Sequence, residues 1–362
     1  LGDCFDIIRN GANIKQYSNA NGYPITRIET TSNDVFNRDK LGYANIYEID
    51  KYKDYVLKNN DILISHINST KYLGRAVLYE KQKEETIIHG MNLLNLSGIN
   101  SNILPQFLVY YFKTESYKLQ IFKITKKAVN QASFTTTALK AIDIPIPPLP
   151  IQKAIVKELD VLHRLKELQE RQIVEYDNLA QSTFYSMFGD PIENEKGWEV
   201  KKLGEVCEIV SGKNQKKVEN PKGVYPIMGS GGFMSFADDY LCPEGTVILG
   251  RKGTINRPFI VTEKVWMVDT AFGLVVNKSI LESLFLFYFC KEFDFLRLNV
   301  AVTIPSLRKI DIKKIDLPIP PLSLQNDFAE RIEKIEAQKE LVKQGIAETQ
   351  LLIDYTMDKY FG

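Results

Sequence analysis

Residues 144–152 read IPIPPLPIQ and residues 317–325 read LPIPPLSLQ, so the chain repeats itself at an offset of 173 residues. The offset holds without a gap beyond the motif. Ile155 falls on Phe328, Leu159 on Ile332, Leu162 on Ile335, Leu168 on Leu341, Ile173 on Ile346 and Leu179 on Leu352, and Phe188-Gly189 falls on Phe361-Gly362. A second echo opens each copy: Leu1-Gly2-Asp3 matches Leu203-Gly204-Glu205, and Gly11 falls near the counterpart of Gly212. Such a chain is expected to fold as two copies of one unit, each a globular segment followed by a long helix. The matched ends make the unit cyclic in logic, a pseudo-twofold ring in which the end of the second copy returns to the start of the first. Because the chain opens directly on the motif, a few natural residues are expected ahead of Leu1.

Proline marks where each helix is released. A residue before proline is pushed out of the helical region, whereas the first helical turn tolerates proline. The two motifs therefore read as extended approaches to helices at 151–188 and 323–362, with Ser323 placed to cap the second. Gly345 alone interrupts the second helix, at a cost of about 1 kcal/mol. The twelve apolar positions matched above recur every three or four residues, an amphipathic stripe with an imperfect heptad. At 1.5 Å per residue each helix spans about 50 Å, more than a domain of this size needs as a cover. The expected architecture is α+β, with β-rich globular domains at 1–150 and 203–322, a linker at 189–202, and the two helices paired antiparallel through Ile155, Leu159, Leu162, Leu168, Ile173, Leu179 and their counterparts.

Composition removes several classes of function. No apolar run approaches the roughly 20 residues that span a bilayer, so no membrane partner is expected. Cys4, Cys207, Cys242 and Cys290 are scattered without a C-x-x-C pair, and His66, His89 and His163 lack metal-ligand spacing. A reduced, cytoplasmic setting is the plain reading. The chain has no phosphate-binding G-x-x-x-x-G-K-[ST] loop, no dinucleotide fingerprint and no Asn-Pro-Pro-aromatic tetrapeptide. No catalytic centre, metal or cofactor is expected on it. Charge is uneven: residues 1–150 carry 18 basic and 14 acidic side chains and 191–322 carry 18 and 16, whereas 151–190 carry 5 and 7 and 323–362 carry 5 and 8. The globular parts are mildly positive, and phosphate binding needs a local basic surface rather than a basic total.

Polar, glycine-rich and basic clusters lie where a nucleic-acid face would need them. In the first globular segment, Ser65, His66, Asn68, Thr70 and Lys71 follow a strand-like run, with Arg75 close behind. Lys126, Lys127, Asn130 and Gln131 form a second cluster. In the second segment, Lys213, Lys216 and Lys217 offer ammoniums for phosphates, and Asn214 and Gln215 offer amides able to pair with adenine edges. Arg251 and Lys252 stand between glycines, followed by Thr254 and Asn256. Each cluster alone reads equally as a solvated loop. Their presence in both copies favours DNA contact.

The pattern resembles the specificity subunit of type I restriction-modification systems. Its carriers are Leu203-Gly204-Glu205 with Ser211-Gly212, Tyr225-Pro226-Ile227 before the glycines of 229–232, Gly250-Arg251-Lys252-Gly253, Leu139-Lys140 ahead of the proline motif, and Met187-Phe188-Gly189-Asp190. The resemblance implies a phage-defence subunit without catalysis of its own, whose two target-recognition domains each read half of a split site in double-stranded DNA. It implies two methylation subunits as partners, which hold S-adenosylmethionine for adenine-N6 methylation, and two motor-nuclease subunits in the restriction form. The helices would act as spacer and docking surface. A protein scaffold carrying two binding modules on a helical rod, or an enzyme with an unfamiliar site, remain the alternative readings of the residues alone.

Overall fold

The computed structural model describes residues 1–127 and 131–362. They cluster into two units, 1–168 with 346–362, and 169–345. The first unit contains β1 (Phe5–Asn10), β2 (Asp61–Ser65), β3 (Ile67–Asn68), β4 (Ala76–Tyr79) and β5 (Leu93–Ile99). β1, β5, β2 and β4 form an antiparallel sheet in that order. Side chains alternate across a strand, so β2 sends Ile62 and Ile64 to one buried cluster and Leu63 to another with Val77 and Tyr79. The helices α1 (Pro105–Tyr111) and α2 (Glu115–Ile124) follow, the first with proline in its opening turn and the second capped by the Thr114 hydroxyl. β6 (Lys126–Lys127) and β7 (Ala132–Ser133) add to β3 as a small sheet of order β3-β7-β6. α3 (Thr136–Lys140) leads through the proline motif into α4 (Leu149–Phe188).

The second unit holds β8 (Glu199–Lys202), α5 (Leu203–Val206), β9 (Cys207–Ser211), β10 (Tyr225–Gly229), β11 (Gly232–Ala237), β12 (Val247–Gly250), β13 (Phe259–Ile260), β14 (Trp266–Met267) and β15 (Ala271–Val276). α6 (Ser283–Glu292), α7 (Lys309–Ile312), β16 (Asp316–Ile319) and α8 (Leu322–Phe361) complete the chain. β9, β15, β12 and β13 form an antiparallel sheet in that order. This is the order of the first unit, so the two diverged segments share one sheet as well as one frame. β8 pairs with β16, so the stretch expected as a linker ends in a strand of the second unit.

The repeated motif has a mechanical meaning. Gln152 is fully buried: its Oε1 accepts from Leu104 N at 2.8 Å, and its Nε2 donates to Asn102 O at 2.9 Å and Pro147 O at 2.7 Å. Gln325 repeats this with Glu282 N at 2.9 Å, Ile280 O at 3.1 Å and Pro320 O at 2.8 Å. Each glutamine therefore ties the start of a long helix to the start of the globular unit's own helix, satisfying backbone groups that helix ends leave open. Both long helices open one or two residues before the expected positions, with Pro148 O and Pro321 O accepting the first backbone N–H groups. Gly11 and Gly212 are also true counterparts. A Cβ would stand 2.0 Å from Gly90 O at the first and 1.9 Å from Val268 O at the second, so only glycine lets these chain segments touch.

Cross-helix contacts run antiparallel inside each unit. In the first, Tyr360 donates to Glu158 at 2.7 Å and Lys166 to Gln350 at 2.7 Å. In the second, Lys339 donates to Asp177 at 2.7 Å, and the Phe188 and Phe328 rings lie 5.3 Å apart. The two lysine pairs are the same pair by the 173-residue offset, with Gln350 standing where the other copy has Asp177. Each helix also finishes a core. Ile155, Leu159 and Phe361 are buried in the first unit's main cluster, and Phe184, Phe188, Phe328 and Ile332 in the second's.

The covered seam corrects part of the expected stripe. Gln152, Ile155, Leu159, Leu162, Lys166, Gln169, Ile173, Tyr176 and Ala180 are buried or half-buried at alternating spacings of three and four, as are their counterparts in α8, which is a strict heptad. Leu168, Leu179, Leu341 and Leu352 are 48%, 48%, 59% and 52% exposed and lie outside it. The reason is polar occupancy of the seam: the heptad places Lys166 and Lys339 inward, and the leucines two positions later face out. Gly345 lies on this seam, where a Cβ would come within 2.9 Å of Gln169 Nε2. Lys339 keeps only 9% exposure, pairing with Asp177 and Glu336. Asp177 and Glu336 stay about half exposed, so removing the lysine strands no buried charge, and Lys339→Met is expected to change stability by less than about 1 kcal/mol, measured by urea titration.

Candidate nucleic-acid interface

In the first unit the two basic clusters meet. The connection from β2 to β4 carries His66, Asn68, Thr70, Lys71 and Arg75, and β3 within it pairs with β7, which pairs with β6. Asn68 and Lys127 thus both lie opposite Ala132. Lys126, Lys127, Gln131, Thr70 and Lys71 are exposed. Thr70, Lys71 and Arg75 line a concavity of about 430 Å³ with Lys113 and Lys118. Arg75 is fixed by Asp34 at 2.9 Å and sits 4.8 Å over the Tyr72 ring. Asn130 lies outside the described residues. Ser65 is wholly buried at the end of β2, where its hydroxyl accepts from Asn68 Nδ2 at 3.2 Å. It shapes the loop from inside and presents nothing to a ligand.

His66 is buried edge-on to Phe134 and, like His89, is held below its ordinary pKa by burial. His89 falls to about 3. Its proton is therefore bound by the unfolded chain first. The stability it contributes is complete above the unfolded value near 6.5 and is lost as pH falls from there toward 3. Unfolding at pH 7 and pH 5 should show the first unit losing up to about 1.4 kcal/mol per pH unit from this group, and His89→Gln should flatten that slope.

In the second unit three segments converge on Thr270 and Ala271. Gly212 N donates to Ala271 O at 3.1 Å, Ser230 N to Thr270 Oγ1 at 3.4 Å, and Arg251 N and Lys252 N to Thr270 O at 2.7 and 3.2 Å. The lysine loop after β9, the glycine-rich tip of the β10–β11 hairpin and the Arg251-Lys252 turn are thereby assembled around one point. Lys213, Asn214, Lys216, Lys217, Lys252 and Asn256 are exposed, with Gln215, Arg251 and Thr254 half-buried. Asn214 Oδ1 accepts from Lys216 N at 2.9 Å, so it shapes its loop. Asn256 Oδ1 accepts from Phe295 N at 2.8 Å, which gives it a structural task. The Arg251-Lys252 turn leaves β12 as the first unit's polar connection leaves β2, so the same corner of the same sheet carries the basic loop in both units.

Residues 1–176, and again 195–350, match the type I restriction modification DNA specificity domain. The chain belongs to this family. Over 367 aligned residues, covering 93% of the chain and 85% of the relative, it is 30% identical to a putative type I restriction enzyme MjaX specificity subunit of Methanocaldococcus jannaschii. It is 21% identical to the Escherichia coli EcoKI specificity subunit over 186 residues, 50% of the chain and 40% of the relative. Among solved structures, a type I restriction-modification S subunit from M. genitalium superposes with a TM-score of 0.60 at 15% identity, over 100% of this chain and 94% of that one. A chain from a study of complex assembly and conformational transition in a type I R-M system superposes with a TM-score of 0.59 at 16% identity, over 99% of this chain and 98% of that one. The fold of this specificity subunit is the shared one.

Sequence reasoning missed one segment of the candidate interface. The backbone tie from Ala12 N to His89 O at 2.8 Å is the counterpart of Lys213 N to Met267 O at 2.8 Å. The exposed Asn13, Lys15 and Tyr17 therefore occupy the seat of the Lys213–Lys217 loop, and Lys15 lies 5.6 Å over the Tyr17 ring. The signal was present in the match of Gly11 to Gly212. Among the described residues no cluster of His, Cys, Asp or Glu could hold a metal ion, and no helix is long and apolar enough to cross a membrane.

Proposed function

We propose that each unit of this specificity subunit reads one half of a bipartite site in duplex DNA, while α4 and α8 set the gap and dock two methylation subunits. The observation that carries the reading is the repeated corner: one sheet, in one strand order, presents cations and amides on the same connections in both units, with different side chains in each. Cations there meet phosphates and fix position, and amides and hydroxyls meet base edges. S-adenosylmethionine belongs, in this reading, to the methylation subunits. The chain alone has neither methyltransferase nor nuclease activity, and calorimetry with the purified chain should show no micromolar binding of that cofactor.

Lys216→Ala with Lys217→Ala should weaken the grip of the complex with methylation subunits on all sequences and reduce the salt slope, because ammonium–phosphate contacts release counterions. Gln215→Ala should instead relax selectivity at one half-site, by roughly 1–3 kcal/mol if the amide is bidentate to a base. Gln215 is the cleaner probe, since Asn214 also holds its loop. Affinity and site choice untouched by all three changes would reduce this loop to a solvated surface.

A further inference from the structure

The second unit carries an apolar tip that its fold does not use. Residues 300–304 read Val-Ala-Val-Thr-Ile. Val302 is completely exposed, and Val300 and Ile304 are 51% and 59% exposed. The tip is nevertheless held in shape. Asn299 Oδ1 accepts from Ala301 N at 3.1 Å and Ser306 N at 2.9 Å, its Nδ2 donates to Ala301 O at 2.9 Å, and Val300 N donates to Ser306 O at 3.1 Å. Val302, Thr303 and Ile304 are β-branched and stiff at χ1, so little side-chain freedom remains to be lost on contact. The tip is also tied to the basic turn: Lys252 bridges to Ser306, and Gly253 N donates to Pro305 O at 2.9 Å.

The first unit matches this stretch in sequence. At the 173-residue offset Val300 falls on Lys127 and Ile304 on Gln131, while the buried Leu307 falls on the buried Phe134. Val302 itself falls on Val129, and the difference lies at the flanking positions, a cation and an amide in one unit and aliphatic groups in the other. A bare aliphatic tip beside Arg251 and Lys252 matches the one apolar feature of a base edge in a major groove otherwise lined by polar atoms and flanked by phosphates, the C5-methyl of thymine.

We propose that the 300–304 tip is a base-reading finger whose Val302 covers the C5-methyl group of a thymine in the half-site read by the second unit. This rests on the DNA-reading role proposed above. Once methylome sequencing has given the recognised site, the full chain with its methylation subunit is titrated with duplexes in which each thymine in turn is replaced by deoxyuridine, which removes only the methyl. One position should weaken binding by roughly fourfold, the equivalent of one methyl left unburied. Val302→Ala should bind the thymine duplex as weakly and be indifferent to deoxyuridine at that position. The substitution lies on an exposed turn and leaves the core intact. Equal sensitivity of both proteins to deoxyuridine at every position, or none in the parent, overturns the proposal while leaving selective DNA binding in place. Loss of the methylation subunit from Val302→Ala, with the deoxyuridine response preserved, makes the tip a protein contact and overturns it too. A parent complex with no sequence-selective binding defeats the DNA-reading role itself.

Discussion

Gln325→Leu should destabilise the second unit by about 3–5 kcal/mol, because one buried and two part-buried backbone partners lose their hydrogen bonds at about 1–3 kcal/mol each and the leucine recovers part of that by burial. The expected loss follows from the geometry: Glu282 N, Ile280 O and Pro320 O all meet this one side chain, which has no exposure. Both tryptophans, Trp198 and Trp266, lie in the second unit. Tryptophan fluorescence in a urea titration therefore reports this unit directly. Gln152→Leu makes the same chemical change in the first unit, and hydrogen exchange at β2 should report it. A shift below about 0.5 kcal/mol for either, the range of ordinary surface changes, would mean that the glutamine is a bystander of the motif rather than its clamp.

Phe184→Ala should cost about 3–5 kcal/mol, the usual range for emptying a buried phenylalanine site. Phe184 is fully buried, with the rings of Phe188, Phe285, Tyr288 and Phe328 centred 5.2–5.7 Å away. It belongs to the helix of the first copy, yet it sits in the core of the second unit. Leu179→Ala, five residues earlier on the exposed side of the same helix, should change stability by less than about 0.5 kcal/mol. The contrast tests the phase of the seam. Equal losses at the two positions would place Leu179 back inside.

The repeat made the helices, their antiparallel sense and the two-unit plan legible, because proline stops and a constant offset are written in the order of residues. The seam was legible only at its apolar ends. Its middle is built from Lys166, Gln169 and Lys339, and a stripe traced through leucines drifts to Leu168 and Leu341. The common sheet was hidden for a different reason. β5 carries Asn95, Ser97 and Gly98, and β15 is broken by Gly273, so neither shows the alternation that marks a strand. Among the candidate contacts, the exposure of Lys71, Lys127, Lys216 and Lys252 was legible because ammoniums are rarely buried. The structural tasks of Ser65 and Asn256 could not be read, since a hydroxyl or amide that closes a loop looks the same in sequence as one that waits for a base. The apolar tip at 300–304 carries no distinguishing mark in the sequence, and only its exposure reveals it.

Whether α4 and α8 set the gap is tested by methylome sequencing of cells carrying the methylation partner with either the parent chain or a chain lacking one heptad from each long helix, 168–174 and 341–347. The deletion removes about 10 Å of helix rise at 1.5 Å per residue and keeps the seam in phase. If the two units read separate half-sites and α4 and α8 are the ruler, the half-sites stay as they are and the gap between them shortens by about three base pairs, at 3.4 Å each. Full modification at the original gap, or altered half-sites at any gap, would contradict it.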